Sequence, residues 1–381
     1  MFGILSRLKS RRETADDIRD IPDDIHDAPN DVHETVGVMS REDVVAAYRW
    51  LMGREPESEE VIAGHMTRTP AVLIESFATS REFHKRWKTS PFYHFHGTLD
   101  VEGIILAHEN PERASLPGHL VNFLGVAMKA EFMPAMAQHG GHVEGPPIPA
   151  NYHAEMAEFA AALRAVDLAR DRFTMIELGC GWGCWMNNTG MAARRRGLAV
   201  QLNGVEGDEG HLGFAREALA TNGFAPADYR LWHGIAGPQS GAALFPRQDQ
   251  AGESWGLEPR FGLPREARAE LLATGRYDER PVLALDEIVG AEPHIDLLHM
   301  DIQGGEADFV RDCMPTLVEK VAYLVIGTHS RTIEGRLMAD LLAAGWVLEI
   351  ERACDFNVSP SGPVTVMDGI QGWRNPQLAP L

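Results

Sequence analysis

The stretch FTMIELGCGWG, residues 173–183, decides the fold. An apolar strand runs directly into glycines at positions 179, 181 and 183, and a helical pattern follows. Glycines at a strand end let the backbone turn tightly and let a ligand approach without a Cβ in the way. A dinucleotide loop needs G-x-G-x-x-G, and its last glycine would fall on Cys184. The spacing therefore excludes a nicotinamide enzyme and indicates a ligand without a pyrophosphate.

A second signal lies in Glu206, which ends the next predicted strand, LNGVE, 29 residues after Glu177. A carboxylate at that strand end can accept both hydroxyls of a ribose. A glycine-rich strand end alone is often only a tight turn, but strand, loop, helix and acidic strand end together favour a nucleoside site. The pattern resembles the S-adenosylmethionine (SAM) site of Rossmann-like methyltransferases. The predicted cofactor contacts are Glu177, Gly179, Cys180, Gly181, Trp182, Gly183, Glu206, Gly207, Gly234, Ile235 and Asp301.

Strands alternate with helices from Tyr152 onward, which predicts an α/β domain with a mainly parallel, seven-stranded sheet covered on both faces. Two late strands, WVLEIE (346–351) and PVTVM (363–367), lie close together in the sequence. Their spacing predicts an antiparallel hairpin at the sheet edge.

The remaining sequence predicts four segments. Residues 1–36 are rich in Asp and poor in large apolar residues, which predicts disorder. Residues 37–91 predict a small helical module with Ser40 as a helix N-cap. Residues 92–150, with one strand in HLVNFLGVAMKAEF (119–132), form a connector packed on the main domain at 151–381.

Three polar residues follow the later strands and are the predicted catalytic group. Asp301 closes the strand IDLLHMD, Glu306 opens the next helix, and His329 ends the adjacent strand. A histidine beside a carboxylate can serve as general base. The same three residues can also ligate a divalent cation or serve only the structure, with Asp301 as a helix cap. His299, inside the strand, fits a hydrogen-bonded core histidine better.

Residues 247–281 form a longer connection than usual between two strands. The stretch is either a lid over the acceptor or an elongated surface loop. Trp255 and Arg260 are the predicted substrate contacts in it, because an indole stacks on a sugar and a guanidinium grips polar groups.

With these residues in place, the domain resembles the FkbM-type SAM-dependent methyltransferases. The resemblance rests on IELGCGWG (176–183), GVEGD (204–208), LALDEIV (283–289), IDLLHMDIQGGE (295–306) and DGIQGWRNP (368–376). It implies O-methylation of a sugar or another hydroxyl compound. The family pattern Asp-Val-Glu-Gly is replaced by Asp301-Ile302-Gln303-Gly304, and the lost carboxylate weakens a metal site there.

The N-terminal stretches AYRWLMGREPESEEVIAGHM (47–66) and SREF (80–83) resemble a helical module that accompanies bacterial surface-glycan enzymes. A glycan or glycolipid precursor is therefore the predicted acceptor. A small natural product is the alternative acceptor, and a non-catalytic scaffold in glycan assembly is the alternative function.

A formal charge of −20 opposes nucleic-acid binding, which needs clustered Lys and Arg. The four cysteines fit reduced thiols better than a disulfide framework. The start, MFGILSRLKSRR, lacks the order of a secretory signal and predicts a cytoplasmic protein. Its mixture of apolar and basic residues also allows a short helix on the inner membrane surface, while a frayed terminus is the simpler reading. No transmembrane span is predicted, and homo-oligomerisation stays open.

Overall fold

The computed structural model describes residues 39–78, 80, 82–83 and 94–381. The predicted disordered segment, 1–36, and the basic start of the chain lie outside the described residues. The chain divides into two compact units, residues 1–92 and 93–381. In the described ranges, no helix is both long enough and apolar enough to cross a bilayer.

The first unit is helical. Ser40 caps its first helix as predicted: the Ser40 hydroxyl accepts the Asp43 N–H at 3.1 Å, and the Asp43 carboxylate accepts the Ser40 N–H at 2.9 Å. Tyr48 and Phe77 meet edge to face with ring centroids 4.7 Å apart in the core of this unit. Its helices are α1 (Arg41–Ala47), a π-helical turn (Tyr48–Met52), α2 (Glu59–Met66) and α3 (Pro70–Ala78).

The second unit is α/β. Its strands are β1 (His96–Gly97), β2 (His119–Val121), β3 (Ala127–Lys129), β4 (Arg172–Leu178), β5 (Ala199–Glu206), β6 (Tyr229–His233), β7 (Ile235–Gly237), β8 (Gly241–Pro246), β9 (Tyr277–Ala284), β10 (Leu297–Met300), β11 (Tyr323–Thr328), β12 (Val347–Arg352), β13 (Asp355–Ser359), β14 (Gly362–Met367) and β15 (Gly369–Arg374). Its α-helices are α4 (Val101–Ala107), α5 (Met156–Leu168), α6 (Cys184–Arg195), α7 (Glu209–Thr221), α8 (Arg265–Ala273), α9 (Leu285–Val289), α10 (Glu306–Lys320) and α11 (Arg331–Ala343). Two short 3₁₀ helices span Ala130–Phe132 and Pro134–His139.

The main sheet has the strand order β1-β12-β15-β11-β10-β4-β5-β6. Strands β6, β5, β4, β10 and β11 are parallel to their neighbours in this order, which confirms the mainly parallel α/β sheet. The chain reverses its direction of winding between β4 and β10. In open α/β sheets, ligands bind beyond the carboxyl ends of the strands at such a switch point.

Period-two alternation along the strands sends neighbouring side chains to opposite cores. In β4, Met175 packs into one core with α5 and α6, and Ile176 packs into the other with α10 and α11. Helix α5 contains the run Ala160–Ala162, all buried, which lets it approach the sheet closely. A Cβ added at Gly372 would meet the Ala161 Cβ at 2.9 Å. The two helical layers therefore hold the sheet on both faces.

The predicted edge hairpin pairs different strands from those we expected. β12 pairs with β15, which lies between β12 and β11, and the PVTVM stretch forms β14 and pairs with β13 in a separate hairpin. The reason is burial: β15 is buried along its whole length, whereas Val358 and Val364 in the separate hairpin are 83% and 50% exposed. The antiparallel part of the sheet is present, but its partner strand is GIQGWR.

Two further stretches differ locally from the expectation. HLVNFLGVAMKAEF forms a two-stranded hairpin, β2 and β3, instead of one strand. The apolar stretch YRLWHGIA (229–236) forms two strands that separate at Gly234, so that β6 stays in the main sheet while β7 joins a small sheet of order β7-β9-β8. The long connection, 247–281, holds α8 and the start of β9 and is only partly a loop.

Candidate active site

A cavity of about 290 Å³ lies beyond the carboxyl ends of β4, β5 and β10. It gathers most of the residues that the sequence singled out. The predicted residues that line it are Glu177, Gly179, Cys180, Gly181, Trp182, Glu206, Gly207, Gly234, Ile235, Trp255 and Asp301. The predicted residues outside its lining are Gly183, Arg260, Glu306 and His329.

The glycine loop adopts a backbone that requires glycine. Gly179, Gly181 and Gly183 have φ angles of 74°, 53° and 75°, in the left-handed region that L side chains rarely adopt. A Cβ at Gly179 would overlap the carbonyl oxygen of Asp301, and one at Gly181 would meet the indole of Trp255 at 3.1 Å. The absence of side chains therefore lets the loop pack closely against the backbone that follows β10 and against the Trp255 indole.

Glu177 binds the start of the helix that follows the loop. Its two carboxylate oxygens accept the N–H groups of Trp185 at 3.1 Å and Met186 at 2.9 Å. Burial raises the pKa of Glu177 to about 7, although the His299 charge and these two hydrogen bonds oppose the rise. The carboxylate lines the cavity, but its hydrogen bonds serve to tie β4 to α6.

Glu206 is placed to accept from a ligand. Oε2 accepts the N–H of Gly181 and Oε1 that of Asp208, both at 2.8 Å. Each carboxylate oxygen keeps a further lone pair, so two more hydroxyl groups can donate to it. Burial raises the pKa of Glu206 to about 7. The carboxylate is therefore held rigidly beside the glycine loop with acceptor capacity left.

Trp255 covers the glycine loop as part of an aromatic stack. Its indole lies parallel to the His211 imidazole, with ring centroids 4.1 Å apart and an interplanar angle of 4°. Arg260 is exposed, and its backbone pairs with Leu244 at the small sheet. Arg260 lies outside the cavity lining, and its contact with a substrate stays a prediction.

Asp301 lies at the cavity, whereas its two predicted partners lie behind it. His329 Nε2 is 3.2 Å from Asp301 Oδ1, and His329 Nδ1 is 3.0 Å from Glu306 Oε1. The same Glu306 oxygen accepts the N–H groups of Ile302 and Gly304 at 3.2 and 3.0 Å. Glu306 is fully buried and lies outside the cavity lining, so it shapes this turn and does not meet a substrate.

The charge state of His329 argues against its predicted role as general base, which stays a prediction. Burial alone would lower the pKa of His329, but hydrogen bonds and charges from Asp301 and Glu306 outweigh it and raise the pKa to about 10. Burial would likewise raise the pKa of Asp301, but His329 lowers it below its ordinary value. At neutral pH this imidazole therefore already holds the proton that a base would have to accept.

The divalent cation stays a hypothesis. One ligand atom each from Asp301, Glu306 and His329 lies within 4.8 Å of the others, close enough to surround an ion. However, the His329 imidazolium neutralises part of the acidic charge that would attract a cation. Gln303 also contacts the Asp301 carboxylate. Its Nε2 donates to Asp301 Oδ1 at 2.8 Å. The charges of the three residues therefore partly offset one another, while Glu306 Oε2 is buried without a hydrogen-bond partner.

One wall of the cavity was not predicted from the sequence. His299, expected in the core, does lie 3% exposed in β10, but it also lines the cavity and pairs with Glu158 Oε1 at 3.0 Å. His153 lines the cavity from the residues just before α5. The signal was present in the sequence as H-x₄-E at the start of a helix, but nothing local indicated that this helix faces β10.

Comparison with known proteins supplies the family. A curated "putative methyltransferase" from Jannaschia sp. (strain CCS1) is 42% identical over 263 residues, which cover 69% of this chain and 94% of that protein. Methyltransferase FkbM from Methylobacillus flagellatus KT is 15% identical with a TM-score of 0.33, covering 56% of this chain and 54% of that one. A "putative RNA methyltransferase" from Pyrococcus horikoshii is 10% identical with a TM-score of 0.33, covering 57% of this chain and 83% of that one. No family model matches. The extent and identity of the Jannaschia match show that this chain belongs to the methyltransferases.

Proposed function

We propose that the chain is a SAM-dependent O-methyltransferase that acts on a sugar hydroxyl of a bacterial glycan or glycolipid precursor. The observation that carries the cofactor part is Glu206, fixed by Gly181 and Asp208 with acceptor capacity left for the two hydroxyls of a ribose. Gly179 and Gly181 line the cavity beside this carboxylate. SAM supplies an electrophilic methyl group when bound.

The residues of this chain would then orient the acceptor and exclude water. Trp255 lies over Gly181 and offers an indole face of the kind on which sugar rings pack. Asp301 presents a carboxylate whose pKa is lowered by His329, so it remains an anion that accepts hydroxyl hydrogen bonds. Positioning of this kind contributes much of the rate in a two-reactant transfer. The sugar acceptor rests on the resemblance of the sequence motifs to glycan-modifying enzymes.

We also propose that the protein lies in the cytoplasm, where it contacts the inner membrane peripherally and forms homo-oligomers. The helical module at 37–91 is proposed to act beside the enzyme in glycan assembly.

Two measurements test the proposal in order. Calorimetric titration with S-adenosylhomocysteine (SAH), the demethylated form of the cofactor, should show binding that Glu206→Gln weakens. Mass spectrometry of surface glycans from cells with and without the gene should then show one methyl group missing. SAH binding with an unchanged glycan profile would favour a small-molecule acceptor, and binding without transfer to any cell fraction would favour the scaffold.

A further inference from the structure

Among the described residues, His153 is one of three histidines that line the cavity, and it comes from the segment before α5. Its side chain is fully buried, and its Nδ1 lies 2.6 Å from Glu144 Oε2. Its Nε2 is buried without a hydrogen-bond partner. An unpaired buried polar atom costs about 1–3 kcal/mol, and because His153 lines the cavity, a ligand that pairs with Nε2 would remove this cost.

Glu144 fixes which ring nitrogen of His153 carries the proton. Because the carboxylate is an acceptor, His153 Nδ1 donates to it and Nε2 keeps a lone pair. The other oxygen of Glu144 accepts the N–H of Tyr152 at 2.6 Å. The Glu144 backbone is itself anchored, since its N–H donates to the Val121 carbonyl at 2.8 Å and its carbonyl accepts from Arg113 Nε at 3.0 Å.

The backbone around His153 is held as firmly as its ring. The side-chain oxygen of Asn151 accepts the N–H groups of His153 at 2.9 Å and Ala154 at 3.0 Å, which closes a turn ahead of α5. The imidazole lies 5.7 Å from the Trp182 ring, measured between centroids, and Trp182 belongs to the glycine loop. His153 therefore sits at the level of that loop, beyond the strand ends.

The other three described histidines at or near the cavity are less suited to accept a proton. His211 Nε2 already accepts the N–H of Gly252 at 3.3 Å. His299 lies inside β10 in register with Glu177 and stacks on Trp185 with centroids 5.3 Å apart, so it is set back among the strands. His329 lies outside the cavity lining and is held between two carboxylates. His299 also has a buried unpaired nitrogen, Nδ1, and a carboxylate partner, Glu158, so the feature that distinguishes His153 is its place beyond the strand ends.

We infer that His153 is the general base of the methyl transfer and that Glu144 is its positioning residue. The inference rests on the proposed function. As the acceptor oxygen forms its bond to the methyl carbon, the carbon–sulfur bond breaks and its electron pair neutralises the sulfonium. The hydroxyl proton passes to His153 Nε2 and leaves to water once the products have gone. The connector, 92–150, thus supplies the carboxylate that orients the base.

The first test needs no acceptor. Nitrogen-15 NMR of the full chain at pH 8, with His153 assigned by comparison with His153→Gln, should show the proton on Nδ1 and a bare Nε2. Glu144→Gln should change this tautomer signal, because an amide offers a donor as well as an acceptor. A wild-type ring with its proton on Nε2 would overturn the inference, and so would a tautomer signal that Glu144→Gln leaves unchanged.

The second test separates binding from transfer. SAH affinity is measured by calorimetry, and turnover by transfer of labelled methyl from SAM to the glycan fraction of cells that lack the gene. His153→Gln should lower kcat by about 10²–10⁴-fold, the usual contribution of a positioned base, and should leave SAH affinity within about threefold. The matched control is His139→Gln, which alters a histidine that stacks on Tyr152 outside the cavity lining and should leave both values unchanged.

Each outcome has a distinct meaning. Normal turnover of His153→Gln would overturn the inference and leave the proposed function intact. Loss of SAH binding in His153→Gln would also overturn it, because the histidine would then serve the cofactor. Wild-type protein that neither binds SAH nor transfers methyl would sink the proposed function itself, while the NMR result would still report the orientation of the ring.

Discussion

Replacement of Gly179 by alanine should be far more costly than the same change at Gly197, although both glycines have left-handed backbones. Their φ angles are 74° and 80°. A Cβ at Gly197 meets nothing within 4 Å, whereas one at Gly179 overlaps the backbone carbonyl oxygen of Asp301. Gly197→Ala therefore measures the left-handed strain alone, and Gly179→Ala measures strain plus overlap.

The left-handed strain costs about 1 kcal/mol for alanine. Overpacking against a backbone that cannot rotate away adds roughly 1–3 kcal/mol, so Gly179→Ala should cost about 2–4 kcal/mol. A unit of this size loses about 2 °C of Tm per kcal/mol. We expect drops of about 2 °C for Gly197→Ala and about 4–8 °C for Gly179→Ala.

Differential scanning calorimetry of the two variants gives these shifts directly, and SAH titration supplies a second readout. The shift forced on Asp301 should weaken SAH binding at least about tenfold in Gly179→Ala, the effect of about 1.4 kcal/mol, with no change in Gly197→Ala. Equal Tm losses in the two variants would refute the reasoning, because they would show that β4 and β10 are not in the close contact described.

Three further predictions concern charge. Glu206→Gln should weaken SAH binding about 10–100-fold in calorimetry, because hydrogen bonds to a charged group contribute about 1.5–3 kcal/mol; an unchanged affinity would exclude Glu206 as a ligand contact. Gln303→Glu should lower the unfolding free energy by about 1–2 kcal/mol at pH 8, since a carboxylate replaces the donor to Asp301, and by less at pH 4; denaturant titrations that give equal losses at both pH values would contradict it. His329, with its pKa raised from 6.5 to about 10, should contribute charge-linked stability that is fully present below about pH 6.5 and lost as the pH rises to 10. The stability difference between wild type and His329→Gln should therefore shrink between pH 7 and 10, and a constant difference would show that the charge does not matter.

The glycine loop was predictable because its signal is local. Strand, three glycines and helix follow one another in the sequence, and the left-handed φ values of Gly179, Gly181 and Gly183 are a property of the residue type. Glu206 was predictable as a strand end beside that loop for the same reason. The Gly181 N–H donates to the Glu206 carboxylate, so the loop and the strand end that the local sequence predicts are in direct contact.

The cavity wall opposite the loop was not predictable in the same way. Glu144 and His153 come from a segment without periodicity, and their approach to Trp182 depends on how α5 packs on the sheet. The charge state of His329 was not predictable from the sequence either, for an electrostatic reason. Its neighbours were expected from the strand order, but the net effect of burial against two carboxylates depends on distances that only the structure provides.

The position of β15 in the main sheet depends on its burial, which the sequence indicates only weakly. GIQGWR has few consecutive apolar residues, so its sequence carries a family motif but predicts no strand. Its Trp373 is fully buried and donates to Gln371 at 3.1 Å, so that even the polar members of this strand are satisfied within the sheet. The valines of PVTVM instead favoured β14 as the partner of β12, although they are half exposed in the structure.

The position of β15 also constrains how the protein is made. It lies between β11 and β12, both of which precede it in the sequence, so the ribosome delivers the middle strand after its two neighbours. Until residues 369–374 have emerged, the facing edges of β11 and β12 have no correct partner and must not close on each other. The complete sheet therefore requires β15 to pair with two strands that were synthesised before it, through long-range contacts that favour slow folding.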